Sequence, residues 1–302
     1  MNIEASIVIA TYNGAHKIER LLNALLKSSC HYEVVVVIDG SSDNTIEIIR
    51  PYLSQFSSLR IIHQNNQGRA AARNRGAIES IGETLIFFDD DMEPDIHSIE
   101  KHLNFHKLST SDCLLCGNIT ELISPDNTDV QNYKAQLNRK WISAFPEGVS
   151  RLNFDNLFFT SANCSMRKNL FIQLKMFDNR LRDAEDHDLA YRAIEAGIPV
   201  FFDEENIAIH HEVITCRSYI LRLRSYRIAH QKLKELYPQR KDFRLGISSG
   251  FHRRLIYRLL AQPFFVKWID QGKMKFLPQT FRYKIYDVVI HSFANIFPST
   301  PI

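Results

Sequence analysis

The sequence lacks several features that would place it in a familiar class. No apolar run approaches the roughly 20 residues needed to span a bilayer, so no transmembrane helix is expected. No secretory signal opens the sequence, and its five cysteines are scattered and odd in number. We therefore expect a cytoplasmic protein with reduced thiols. Both glycine-rich phosphate-binding patterns, G-x-x-x-x-G-K-[ST] and G-x-G-x-x-G, are also absent.

Acidic residues are scarce in the last third of the chain. Residues 213–302 contain 17 Lys and Arg residues but only 4 Asp and Glu residues. Residues 1–212 contain 20 Lys and Arg residues and 30 Asp and Glu residues. The formal net charge of +3 therefore combines an acidic region with a strongly basic one. Regions of opposite charge are expected to have different partners. A chain of 302 residues is long enough for one large domain or two closely packed halves.

Apolar runs alternate with amphipathic stretches through the first part of the chain. The runs predict strands at Ser6–Ala10, Glu33–Ile38, Leu59–Ile62 and Leu85–Phe88, and an amphipathic helix is predicted after each of the first three. The unbroken run Val34–Val37 indicates a strand that is covered on both faces. Together these elements predict an α/β fold with a doubly wound, mostly parallel sheet and helices on both faces.

Polar side chains follow each of the four predicted strands. Thr11–Asn13 follow the first strand, Asp39 the second, Asn66 and Gln67 the third, and Asp89–Asp91 the fourth. Because the carboxyl ends of parallel strands meet at the same edge of a sheet, these side chains are expected to line one crevice. A nucleotide is the ligand that such a crevice most often binds.

Three consecutive carboxylates end the fourth strand. Like charges repel, so Asp89, Asp90 and Asp91 are stable together only if they are solvated, partly protonated or neutralised by a cation. One interpretation of the triplet is a solvated acidic turn. The other is a metal site, because hard oxygen ligands suit Mg²⁺ or Mn²⁺ and no glycine-rich cradle is present to hold phosphates.

Four motifs, in this order and spacing, resemble those of the family 2 glycosyltransferases, which have the GT-A fold. Each motif is weak alone, but the set is specific. The motifs are Ile7–Asn13, Val37–Thr45, Asn66–Gly68 with Ala72–Asn74, and Phe87–Asp91.

The resemblance implies a nucleotide-sugar donor, with UDP as the expected nucleotide. It implies that Thr11 and Tyr12 flank the base and that Asp39 hydrogen-bonds the imide of the base. Arg73 is implied to lie near the base and the phosphates. These roles belong to the family pattern and are transferred to the matching positions of this sequence.

The resemblance also assigns roles within the acidic triplet. In the D-x-D pattern Asp89 faces the ribose or sugar, Asp91 ligates Mn²⁺ or Mg²⁺, and Asp90 takes the variable middle place. Family members often have a histidine that completes the metal sphere or touches the diphosphate. A predicted strand ends in His210 and His211, which alternation places on opposite faces, and His210 is slightly favoured for this role. The alternative for both His210 and His211 is a purely structural role at the protein surface.

Acceptor-side motifs continue the resemblance, with Ser161–Lys168 and Glu185–Arg192 as the clearest. The family places its catalytic base at Asp186, where the positive end of the helix dipole would keep the carboxylate ionised. A simpler interpretation is that Glu185 and Asp186 only cap the helix. The usual Gly-Gly-Phe-Asp of the family is here Lys175–Asp178, a departure that concerns a turn.

The resemblance implies transfer of one sugar, with inversion, to an acceptor hydroxyl. Asp186 would act as general base, and a metal ion would stabilise the departing diphosphate. The Q-x-x-R-W motif of processive members does not follow Asp186, so a single transfer is expected, in surface polysaccharide or glycolipid assembly. A nucleotidyltransferase is one alternative, although its usual glycine-rich basic loop is missing. A catalytically inactive membrane-associated scaffold is another.

Three regions are expected along the chain. Residues 1–120 would form the nucleotide-sugar-binding half and residues 121–212 the acceptor-side half of one catalytic domain. Residues 213–302 would form a basic helical C-terminal extension.

The basic extension contains apolar residues at helical spacing among arginines. Tyr219–Tyr237 is expected to pack its apolar stripe on the catalytic domain. Phe251–Trp268, and less clearly Phe276–Phe297, are expected to contact an anionic membrane, because aromatic and basic residues cluster there without a balancing acidic face. We therefore expect a peripheral enzyme at the inner face of the membrane, acting on a glycan or lipid-linked acceptor. No nucleic-acid recognition motif accompanies the charge, so nucleic acid is not an expected partner.

Overall fold

The computed structural model describes residues 3–240 and 257–302. Within this part of the chain, no helix combines the length and the apolar character needed to cross a bilayer. The chain forms two compact units, each built from two separate segments. Unit 1 is Met1–Thr120 with Trp141–His211, and unit 2 is Glu121–Lys140 with Glu212–Ile302.

The strands are β1 (Ala5–Thr11), β2 (Tyr32–Asp39), β3 (Leu59–Gln64), β4 (Thr84–Asp89), β5 (Met92–Pro94), β6 (Leu114–Thr120), β7 (Val149–Leu152), β8 (Asn163–Arg167) and β9 (Val200–His210). The α-helices of the described residues are α1 (Ile18–Leu25), α2 (Thr45–Ile49), α3 (Arg69–Glu79), α4 (Ser98–Leu108), α5 (Asp129–Ile142), α6 (Lys168–Gln173), α7 (Glu185–Glu195), α8 (Cys216–Leu236), α9 (Pro263–Asp270) and α10 (Gln279–His291).

All the described strands belong to one mixed sheet in unit 1, in the order β3-β2-β1-β4-β8-β6-β9-β5, with β7 also paired to β9. The first four strands of this order are parallel. Strand β8 is antiparallel to β4 and β6, whereas β9 is parallel to β6 and antiparallel to β5 and β7. The predicted α/β class with C-terminal helices is confirmed, and the antiparallel strands are a detail that the local sequence pattern did not show.

Helices cover both faces of this sheet, as the fully buried strand β2 requires. On one face, α1 buries apolar residues from Ile18 to Leu25 at helical spacing, within the same cluster as the alternate residues of β1 and β2. On the other face, the rings of Phe87, Phe171 and Phe177 pack with centroids 5.0 to 5.4 Å apart. The strand ends are therefore held on a rigid, two-sided core.

Unit 2 has its own apolar core, formed by α5, α8, α9 and α10. Tyr133, Ile220, Tyr286 and Phe293 are among its buried members. The apolar stripe of α8 thus packs within unit 2. Asp129, at the start of α5, accepts hydrogen bonds from two N–H groups of the Arg282 guanidinium and from the Tyr286 hydroxyl.

The two segments predicted to contact a membrane are only partly available for that role. In Phe276–Phe297, the residues Tyr286, Val289 and Phe293 are buried in the unit 2 core, because α10 turns its apolar face inward. In Phe251–Trp268, residues 251–256 lie outside the described residues, and Val266 is buried in the same core.

Two buried histidines lie beneath the sheet on α4. Nδ1 of His102 and Nε2 of His106 each lie 2.8 Å from the Ser165 hydroxyl, and Nε2 of His102 lies 2.8 Å from the Asn163 amide oxygen. Burial lowers the pKa of His102 to about 3. Burial, with the nearby charge of Arg167, lowers the pKa of His106 to about 4. Both rings are therefore neutral in the folded protein near neutral pH.

These histidines predict a loss of stability in mild acid. An unfolded chain protonates its histidines near pH 6.5, whereas folded His102 and His106 stay neutral until the pH is far lower. Their contribution is therefore complete above pH 6.5 and is lost as the pH falls toward their folded pKa values. Between pH 7 and pH 6 we expect the free energy of unfolding to fall by about 1 kcal/mol in urea titrations. His106→Gln should show a smaller fall; an undiminished fall in this variant would contradict the assignment.

Candidate active site

Polar side chains at the ends of neighbouring strands meet at one edge of the sheet. In the parallel register Asp89 of β4 lies beside Ala10 of β1, and Thr11 lies beside Ile38 of β2. The Thr11 hydroxyl donates to Oδ2 of Asp90 over 2.6 Å. The convergence of strand ends predicted from the sequence is therefore present in unit 1.

Asp39 holds the loop that leads into α3. One carboxylate oxygen of Asp39 accepts hydrogen bonds from the Gln64 side chain at 2.7 Å and from the backbone N–H of Gln67 at 2.9 Å. The other accepts from the backbone N–H of Gly68 at 2.8 Å. Asp39 is buried, whereas Tyr12, on the loop after β1, is 53% exposed. Of these predicted base-binding residues, Tyr12 is thus the one that presents a large free surface, while Thr11 turns to Asp90.

Arg73 connects the donor-side and acceptor-side motifs. Its guanidinium donates to Asp89 at 2.5 Å and to Glu185 at 2.8 Å. The side chain is buried, and burial would lower its pKa, but the charges of Asp89 and Glu185 raise it. Its Nε atom is buried without a hydrogen-bond partner among the described residues. Arg73 therefore fixes Asp89, at the end of β4, relative to the start of α7.

Close packing of α3 on the sheet sets the position of Arg73. A Cβ atom on Gly76 would lie 2.5 Å from a methyl carbon of Val8, so only glycine allows the helix to approach β1 this closely. The Asn74 amide on the same helix donates to the carbonyl oxygen of Phe177 and accepts from its N–H, at 2.8 and 3.0 Å. Helix α3 thereby joins the sheet to the turn before α7.

That turn contains the residues at which the sequence departs from the family pattern. Lys175 and Met176, which replace the usual glycines, have φ angles of +63° and +58°. Glycine adopts this left-handed region freely, whereas side chains with a Cβ do so at a cost. The chain therefore keeps the turn conformation that the glycines would favour.

Two cations of the protein itself neutralise the acidic triplet. Arg73 pairs with Asp89, and Nζ of Lys17 lies 2.8 Å from Asp90 and 3.7 Å from Asp91. Of the three ways of stabilising the triplet that the sequence left open, neutralisation by a cation is thus provided in part by Lys17 and Arg73. Asp90 is the most buried carboxylate of the three.

Lys17 and Asp90 form a largely buried ion pair. Burial raises the pKa of Asp90, and Lys17 and the Thr11 hydroxyl act in the opposite direction. For Lys17 burial acts to lower the pKa, but Asp90 raises it above its ordinary value. The lysine is therefore a permanent positive charge beside the triplet.

Asp91 is the carboxylate of the triplet that has a buried oxygen without a hydrogen-bond partner among the described residues. Burial would raise its pKa, but contact with His210 and the charge of Lys17 lower it to about 2, so it is ionised at neutral pH. Its Oδ1 atom is buried and has no hydrogen-bond partner among the described residues. A buried carboxylate oxygen in this state can accept a hydrogen bond from water or bind a cation.

The histidines at the end of β9 point to different carboxylates. Nε2 of His210 lies 3.6 Å from Asp91, whereas Nε2 of His211 lies 2.6 Å from Glu93. The structure thus brings the side chain of His210, and not that of His211, beside the carboxylate of Asp91, the aspartate proposed to hold metal.

The donor atoms present fit a divalent ion only in part. Within residues 3–240 and 257–302, no group of three or more His, Cys, Asp or Glu side chains is arranged to hold a metal. Asp91 and His210 would supply two ligands. Mg²⁺ is usually bound by one or two carboxylates together with substrate phosphates and water, so two protein ligands suit a site that a diphosphate completes.

Asp186 occupies the first turn of α7. Its two oxygens accept backbone hydrogen bonds from Ser161 at 3.2 Å and His187 at 2.8 Å. Its acidic neighbours are more buried: Glu185 binds Arg73, and Asp188 accepts from Arg192 at 2.8 Å. Burial, followed by the charge of Asp186, raises the pKa of Glu185.

Lys17 is a functional candidate that the sequence motifs did not include. A signal for it was available, because Lys17 immediately precedes α1, where a positive charge opposes the helix dipole. A lysine in such a place indicates a carboxylate partner. The Arg73–Glu185 contact joins residues 112 positions apart, and no local pattern reveals it.

Comparison with known proteins identifies the family of this chain. The profile described as "Glycosyl transferase family 2" matches residues 6–175. Glycosyltransferase AglE of Haloferax volcanii is 30% identical over 210 residues, which are 68% of this chain and 66% of that protein. Cholesterol galactosyltransferase of Borreliella burgdorferi is 27% identical over 182 residues, 59% of this chain and 48% of that protein. The chain thus matches less than two thirds of the length of these relatives.

Solved structures agree on the fold. S. aureus TarS 1–349, in complex with UDP-GlcNAc, has a TM-score of 0.56 and 16% identity, covering 98% of this chain and 92% of TarS 1–349. Mannosyltransferase PcManGT from Pyrobaculum calidifontis, in complex with GDP-Man and Mn²⁺, has a TM-score of 0.57 and 15% identity. The match covers 97% of this chain and 76% of PcManGT. The chain belongs to glycosyl transferase family 2 and has the GT-A fold.

Proposed function

We propose that this glycosyltransferase moves one sugar, with inversion, from a nucleoside-diphosphate donor to an acceptor hydroxyl. The observation that carries the proposal is the buried bridge from Asp89 through Arg73 to Glu185. The bridge holds the strand end that would bind the donor next to Asp186, which directly follows Glu185. A donor site and a base held on one rigid support are what direct displacement requires.

Asp186 is the proposed general base. Of the three carboxylates in the first turn of α7, Glu185 and Asp188 are buried and committed to arginines, whereas Asp186 is only half-buried. Backbone N–H groups of Ser161 and His187 fix its orientation. A base must come within hydrogen-bond reach of the acceptor proton, and Asp186 is the one of the three that is partly exposed.

Asp91 and His210 are the residues that would hold Mn²⁺ or Mg²⁺. The unpartnered Oδ1 of Asp91 and the position of His210 support this assignment. When bound, the ion would supply positive charge to the leaving diphosphate. Lys17 adds a fixed positive charge on the same side of the triplet.

UDP is the nucleotide we propose for the donor. The exposed ring of Tyr12 would contact the base, and Asp39, at the end of β2, would accept a hydrogen bond from the imide. TarS binds UDP and UDP-GlcNAc, and PcManGT binds GDP-Man. Both kinds of donor are therefore worth testing.

Calorimetry with UDP tests the donor site directly. We expect UDP to bind in the presence of Mn²⁺ and to bind more weakly after chelation. A panel of UDP- and GDP-sugars should then reveal slow hydrolysis of one donor. Absence of any nucleotide binding would favour a scaffold, and release of pyrophosphate from a nucleoside triphosphate would favour a nucleotidyltransferase; either result would overturn the proposal.

The acceptor and the cellular location complete the proposal. We propose a glycan or lipid-linked acceptor in surface polysaccharide or glycolipid assembly, and a peripheral enzyme at the cytoplasmic face of the membrane. The excess of basic residues after position 212 supports this location, because anionic lipids attract such regions.

A further inference from the structure

Helix α9 of unit 2 exposes aromatic side chains on one face. Val266 and Ile269 are buried, whereas Phe264 and Trp268 are 45% and 44% exposed. The two exposed rings are in contact, with centroids 5.2 Å apart. Their spacing of four residues places them one turn apart on the same side of the helix. Phe276, in the turn that follows, is 82% exposed.

Three exposed lysines lie near these rings in the sequence, and few acidic residues accompany them. Lys267, Lys273 and Lys275 are exposed, and none of them forms an ion pair with a described residue. Asp270 is the one acidic residue between positions 263 and 281. Its carboxylate accepts from two backbone N–H groups at the start of α8, so it is directed to the helix rather than to the lysines.

We propose that this surface, here called the aromatic–basic face, contacts an anionic lipid bilayer. Its aromatic rings would enter the headgroup region while its lysines approach lipid phosphates. The inference rests on the membrane location proposed above and specifies the residues responsible. The face consists of Phe264, Lys267, Trp268, Lys273, Lys275 and Phe276.

The chemistry of the face favours lipid over protein. Lysine is depleted at protein–protein interfaces, whereas tryptophan and lysine occur together where a protein meets a membrane surface. A second copy of the chain would bring the same positive charge to the contact and be repelled. An anionic bilayer offers both an apolar layer for the rings and phosphates for the lysines.

Flotation of the full-length chain with vesicles tests the proposal. We expect flotation with mixed phosphatidylcholine and phosphatidylglycerol vesicles at low salt, and little with phosphatidylcholine alone. Phe264→Ser/Trp268→Ser should lower the vesicle affinity about tenfold or more. Lys273→Gln/Lys275→Gln should lower it by a similar factor and reduce its salt dependence.

Matched variants in unit 1 serve as controls. Leu108 and Ile81 are exposed apolar residues, and replacing both by serine should leave flotation unchanged. Lys27→Gln/Lys175→Gln removes the same charge from exposed positions elsewhere and should have a much smaller effect than Lys273→Gln/Lys275→Gln. An equal effect would show that only net charge matters and would overturn the assigned face.

Fluorescence gives a second measurement that does not depend on the serine variants folding. The chain has two tryptophans, and Trp141 packs against Phe145 and Phe158 in unit 1. Vesicles should shift the emission of the wild type to the blue. Trp268→Phe, which keeps an aromatic ring, should still float but lose this shift. An unchanged shift in Trp268→Phe would contradict the proposal. Since no donor is present, failure here is separate from failure of the transfer reaction.

Discussion

Replacing Asp186 by Asn is expected to lower the rate of sugar transfer by roughly 100-fold or more while UDP still binds. The substitution keeps the size of the side chain and one of the two oxygens that accept backbone hydrogen bonds. It removes the ability to take a proton from the acceptor hydroxyl. Transfer kinetics measured with the donor found in the nucleotide-sugar panel, together with UDP calorimetry, would separate catalysis from donor binding.

The neighbouring carboxylates make this experiment specific. Glu185→Gln would remove a charge from the Arg73 bridge and should weaken donor binding and stability as well as transfer. Asp186→Asn should leave donor binding nearly unchanged and should lower stability only through the loss of one backbone hydrogen bond. Asp126→Asn, the same substitution at an exposed position in unit 2, is the control for the chemical change. If Asp186→Asn transfers sugar at the wild-type rate, the base lies elsewhere.

The strands and helices of the first half could be predicted because their signals are local. The buried strand β2 and the amphipathic helix α1 follow from apolar spacing within a few residues. Strand β8 has no such pattern, since buried polar side chains such as Asn163 and Ser165 interrupt it. Those residues are buried because they bind His102 and His106, and only the folded structure brings these groups together.

Some features of the candidate site could likewise be predicted from the local sequence, whereas others depend on contacts across the fold. That the acidic triplet must be solvated, partly protonated or neutralised by a cation followed from electrostatics alone. That Lys17 and Arg73 supply part of this charge depends on contacts across the fold, between residues 73 or 74 positions apart for Lys17 and 16 positions apart for Arg73 and Asp89. The choice of His210 over His211 required the pairing of β9 with β5, which sets His210 beside Met92.

Replacing Asp91 by Ala is expected to remove the Mn²⁺-dependent part of the UDP affinity. Asp91 is the carboxylate of the triplet with an unpartnered buried oxygen, and it is the one closest to His210. Loss of an outer-shell partner alone typically lowers metal affinity 10- to 100-fold, so loss of a direct ligand should cost roughly 100-fold or more. Calorimetric titrations of UDP with Mn²⁺, and with a chelator in its place, measure the effect.

The position of Lys17 suggests an alternative source of positive charge for the diphosphate. If Lys17, rather than a metal ion, provides the counter-charge for the diphosphate, UDP affinity will not respond to Mn²⁺ or chelation, and Lys17→Met will weaken it. Asp91→Ala would then have little effect, and the metal assignment would fail. Asp95→Ala removes an exposed carboxylate shortly after the triplet and should leave Mn²⁺-dependent binding intact. We expect the metal dependence to be strong in the wild type and in Asp95→Ala, and absent in Asp91→Ala.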